Sequence, residues 1–91
     1  MYILIDYTVS MDHSAALIAK WVREQIADLK TLPKYAKSNR SLYLDLWSVT
    51  GVHSNTISKF VDEPDRNITI KNLDKLVAGV RSLKRTAAQA A

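Results

Sequence analysis

Only two glycines occur in the 91 residues, and one of them, Gly51, lies between two short apolar patterns in "LWSVTGVHSNTISKF", residues 46–60. A glycine at that place constrains the chain strongly, because it accepts the left-handed backbone that joins two helices across a tight turn without steric cost. Val52 then tucks into the core and sets the angle at which the second helix leaves the first. Ile57 faces the same interior, and Phe60 follows one turn later. The opposite face of that second helix falls to Ser54, Asn55, Thr56, Ser58 and Lys59, with His53 just ahead of it. This spacing is that of a helix-turn-helix.

The flanks read as further helices. Over residues 14–30, Ile18, Val22, Ile26 and Leu29 recur at helical spacing, and Leu17 and Trp21 widen the stripe. Asp12 or Ser14 can cap its start, and Pro33 stops it, since the residue before a proline is driven out of the helical region. Residues 33–41 form a basic connector carrying Lys34, Lys37 and Arg40 without an acid. Residues 42–49 fit two patterns: Leu42, Leu44 and Leu46 alternate as in a strand, whereas Leu42, Leu46 and Val49 repeat as in a helix. Residues 54–61 suit a short helix with Ile57, Phe60 and Val61 inward. Residues 62–67 read as a turn. The cleanest helical stripe is Ile70, Leu73, Leu76 or Val77, Val80 and Leu83, with Thr69 as its cap. Residues 86–91 form a tail expected to fray.

Residues 1–9 are rich in β-branched and aromatic types and place Ile3, Ile5, Tyr7 and Val9 on one face if extended. One strand is not stable alone, so it would pair with a second subunit or elsewhere in the chain, or form an apolar arm packed on the helices. The expected fold is a mainly α, small helical bundle containing a helix-turn-helix, with an N-terminal strand or extended arm. Three stretches make up one compact domain: arm, long helix and connector (1–40), helix-turn-helix and following helix (41–85), and tail (86–91).

Composition narrows the function. Hydrophobic residues make up 47% and charged residues 24%, the balance of a folding globular chain. There are no cysteines and the two histidines, His13 and His53, are far apart, so neither a disulfide framework nor a metal site is expected. No grouping of His, Ser and Asp and no Gly-rich phosphate loop is present, so the expectation is a binding protein without cofactor rather than an enzyme. The apolar run Tyr2 to Ile5 is far short of the ~20 residues that span a bilayer and lacks a basic leader. A cytoplasmic protein is expected, and its net charge of +4 favours an anionic partner.

"LWSVTGVHSNTISKF" resembles the helix-turn-helix of the lambda-repressor-like (Cro and repressor) DNA-binding domains, and "NITIKNLDKLVAGV" is similar to the helix that follows it in that family. The resemblance covers about residues 41 to 83 and makes 42–49 the first helix of the motif. It implies a phage- or bacterial-type repressor that binds double-stranded DNA as a homodimer, with Gly51, Val52, Ile57 and Phe60 as motif core. The base-reading positions it implies are Ser54, Asn55, Ser58 and Lys59, flanked by His53 and Thr56. Asn55 has the donor and acceptor that match adenine N6 and N7. Lys34, Lys37, Arg40, Arg66 and Lys71 are the expected partners of the DNA backbone. Taken singly, His53, Ser54 and Thr56 serve equally as caps or surface residues.

Two features depart from the pattern. The family usually has a small residue four before the glycine, where this chain has Trp47, so either the helices splay or the ring turns aside. The acids of 62–65 follow the reading helix directly. A protein-interaction module of antitoxin or inhibitor type, using Trp47, the apolar arm and the first helix, is the rival reading.

Overall fold

A computed structural model of the chain describes residues 3–63 and 68–90. Among these residues it forms a small bundle of four helices: α1 (Ile3–Lys30), α2 (Asn39–Thr50), α3 (Ser54–Asp62) and α4 (Ile70–Ala90). None is long and apolar enough to cross a membrane. α4 packs on both α1 and α2, and α2 packs on α3.

The core follows from the apolar spacing. Val22, Ile26 and Leu29 of α1 are buried with Leu42, Tyr43 and Leu46 of α2, Ile57 and Phe60 of α3, and Leu73, Leu76 and Val80 of α4. Burying each Leu, Ile or Phe stabilises by about 1.5–3 kcal/mol. Val52 joins them from the turn between α2 and α3. The stripes lose their ends to solvent, with Ile18, Val49 and Ile70 exposed and Val61 and Leu83 half-buried. Val61 and Leu83 still pack against the edge of the core, whereas Val49 and Ile70 sit at the last and first turns of their helices.

The N-terminal strand is corrected by the structure: the chain is helical from Ile3, and Asp12 and Ser14 lie inside α1 rather than at its start. Extending an established helix fixes one residue per added hydrogen bond, whereas a strand needs a ladder partner, and no strand occurs among the described residues. The part of that expectation that rests on Met1 and Tyr2 lies outside the described residues. At the other end α1 stops at Lys30, before Pro33. There Thr31 and Leu32 donate to the carbonyls of Asp28 and Leu29, and Thr31 Oγ1 donates to the former at 2.6 Å.

At the other end of the chain α4 continues through Ala90, so residues 86–90 of the expected tail are helical. Its last turns are alanine-rich, the best helix former, and Thr86 Oγ1 donates back to the Ser82 carbonyl at 3.0 Å. Thr69 caps the other end as its position suggests, its Oγ1 accepting from the Asn72 N–H at 3.1 Å.

Candidate nucleic-acid interface

Gly51 has φ 78° and ψ −1°, the left-handed conformation expected of it, and its N–H donates to the Trp47 carbonyl at 2.8 Å. Its neighbour Thr50 braces the turn from both sides. Thr50 Oγ1 donates to the Leu46 carbonyl at 2.6 Å and accepts from the Val52 N–H at 3.0 Å. Val52 is thereby pinned into the core, and α3 leaves the turn in a fixed direction.

His53 is the N-cap of α3. Its Nδ1 accepts from the Asn55 N–H at 3.0 Å, and its carbonyl accepts from the Ile57 N–H at 3.1 Å. A ring nitrogen thus does the work that Ser or Asp usually does at such a site. The imidazole also stacks on Trp47, with ring centroids 4.1 Å apart and planes tilted by 39°. This resolves the alternatives for Trp47: its ring turns aside to the outer face of the helix pair, where it stays 38% exposed.

Arg23 of α1 holds the far end of α3. Its Nε donates to the Phe60 carbonyl at 2.8 Å, Nη2 donates to the Glu63 carbonyl at 3.3 Å, and the guanidinium lies 4.0 Å from the Phe60 ring centroid. A cation at a helix C-terminus complements both the unsatisfied carbonyls and the dipole. α3 is therefore fixed at its start by Thr50 and His53 and at its end by Arg23.

α2 and α3 enclose a cleft of about 560 Å³ lined by Arg40, Tyr43, Leu44, Trp47, His53, Ser54, Asn55 and Ser58. No acid is among these lining residues, and neither α2 nor α3 has an acid in its first turn. The structure thus brings together Ser54, Asn55 and Ser58 of the expected reading set, with His53 and Arg40 beside them. Lys59 lies one turn beyond Asn55 on the same exposed side of α3, opposite Ile57 and Phe60, and Thr56 is exposed as well.

Other expected contacts are not gathered there. Lys34 Nζ is 3.4 Å from Asp45 Oδ2, an exposed ion pair outside the cleft lining. That same oxygen accepts the Tyr35 hydroxyl at 2.6 Å, tying the connector to α2. Burial, the hydrogen bond and the negative charge of Asp45 together raise the Tyr35 hydroxyl well above the ordinary phenol range. Ser58 Oγ donates to Asp62 Oδ2 at 3.4 Å, which partly engages it within its own helix. Lys37 and Lys71 are exposed outside the cleft lining. Arg66 and the second half of the acidic turn lie outside the described residues.

Arg23, Thr50 and Tyr43 were not anticipated from the sequence, and Leu44 stood out there only for its spacing. Thr50 carried a signal, since a threonine beside a turn glycine can bond backbone on either side. Arg23 carried none, because its partners are 37 and 40 residues away. No family model matches the chain, and neither curated proteins nor solved structures give a significant match.

Proposed function

We propose that the chain is a sequence-specific, double-stranded DNA-binding transcriptional regulator, acting as a repressor of the phage or bacterial type. The observation that carries this reading is the left-handed Gly51 turn, which sets α3 with Asn55, Thr56 and Lys59 exposed beside an acid-free cleft containing Arg40. A helix in this setting fits the major groove, where Asn55 is suited to an adenine and Lys59 to guanine or phosphate. Arg40, in the cleft lining, and Lys37, exposed on the connector, are the cations proposed to neutralise phosphates, and the acid-free helix starts favour the same anions.

One reading helix contacts too few base pairs to be selective in a genome, so the proposal includes a homodimer on a two-fold site. The exposed end of the α1 stripe, Leu17 and Ile18 at 54% and 38%, is the surface proposed for it. The test is selection from randomised duplexes about three helical turns long near physiological salt. An enriched inverted repeat supports the dimeric regulator. Retention without enrichment reduces the activity to charge attraction, and no retention favours the protein-interaction reading.

A further inference from the structure

The cleft contains one feature that a polar reading face does not require. Trp47 and Leu44 remain 38% and 40% exposed in the middle of it, although a tryptophan is among the side chains with most to gain from burial. The ring is not loosely placed. It stacks on His53 at 4.1 Å, and His53 is held by the Asn55 N–H at 3.0 Å, so the apolar surface is fixed relative to the backbone at the start of α3, from which Asn55 projects. Little ordering of the ring is then left to occur on binding.

Resting on the DNA reading above, the question becomes what on a base edge suits an apolar patch flanked by an amide and a guanidinium. The major-groove edges present donors, acceptors and one apolar group, the pyrimidine C5-methyl. We infer that Trp47 and Leu44 receive the C5-methyl group of a thymine or a 5-methylcytosine beside the base read by Asn55. The cleft then reads two neighbouring base pairs in different ways, one by hydrogen bonds and one by apolar contact. The tryptophan that departs from the usual small residue becomes a determinant of specificity.

The experiment uses the full chain and a duplex enriched by selection. Each thymine is replaced in turn by uracil, which removes only the methyl group, and by cytosine or 5-methylcytosine with the pairing base changed to match. Dissociation constants are measured for the wild type, Trp47→Ala, Trp47→Phe and Leu44→Ala. The wild type should bind about three- to fivefold more weakly when one particular thymine of a single half-site becomes uracil, the effect of burying a single methyl group. A larger loss from 5-methylcytosine to cytosine than from thymine to uracil at that place would identify the methylated cytosine as the source instead. Trp47→Ala should bind the methylated and unmethylated duplexes alike, Leu44→Ala should narrow the ratio, and Trp47→Phe should keep most of it.

A purely structural role for Trp47 would weaken both duplexes equally and leave the ratio intact, which overturns the inference. A scan that is flat in the wild type on an enriched duplex overturns it while leaving the DNA reading standing. Failure to enrich any duplex removes both.

Discussion

Gly79 offers a test of how α4 holds the helix-turn-helix. A β-carbon at this position would overlap Thr50 Cγ2, with Leu46 Cδ2 and Val49 Cγ2 at ordinary contact distances of 3.5 Å. Gly79→Ala gains about 1 kcal/mol of helix propensity in the interior of α4. Against this, Thr50 can swing its methyl away only by rotating about the bond that also places Oγ1, giving up its bonds to the Leu46 carbonyl and the Val52 N–H. Those two bonds contribute about 1–3 kcal/mol together. If α2 and α4 separate instead, overpacking costs about as much.

Gly79→Ala should therefore leave the wild type unchanged or destabilise it by up to about 2 kcal/mol. In a Thr50→Ser background, which removes the methyl and keeps the hydroxyl, the same substitution should stabilise by about 1 kcal/mol. Urea unfolding of the four proteins, followed by circular dichroism, gives the coupling energy, expected at about 1–3 kcal/mol. Additive effects of the two substitutions would show that Thr50 does not limit the approach of α4.

Three other outcomes are expected. Gly51→Ala should lose about 1–2 kcal/mol from left-handed strain alone, since nothing lies within 4 Å of the added carbon, and Gly51→Val should lose more. Unchanged unfolding midpoints would show that the turn relaxes freely. On a selected duplex, Asn55→Ala should cost about 1–3 kcal/mol and relax preference at one base pair, whereas Lys37→Ala should weaken all sequences and reduce the salt slope by about one. An Asn55→Ala protein with unchanged preference would contradict the assignment. The raised Tyr35 pKa makes stability alkali-sensitive: its contribution is fully present below about pH 10, where the unfolded phenol is protonated. Above that the unfolded state loses its proton first, so stability falls as pH rises, and Tyr35→Phe should remove this part of the slope in pH-dependent unfolding.

The parts of the fold legible in the sequence were those set by local backbone needs and apolar spacing. Gly51 announced its conformation because few other residues tolerate it, and Val52, Ile57, Phe60, Leu73, Leu76 and Val80 fell on buried faces by their intervals. The start of α1 was hidden because β-branched and aromatic residues speak for a strand only where another strand can receive them. At the cleft, the exposed polar face of α3 was visible from the same intervals. The stacking of Trp47 on His53, the grip of Arg23 on the end of α3 and the ion pair of Lys34 with Asp45 were not, because each depends on side-chain direction after packing.

A regulator of the proposed kind must discriminate between DNA sequences. The most direct measurement is the ratio of dissociation constants of the full chain for a selected duplex and for the same duplex with its base order scrambled, at near-physiological salt. The account predicts preference for the selected duplex by about a thousandfold or more. Equal affinity for the two would contradict it, leaving a basic surface that holds DNA by charge alone.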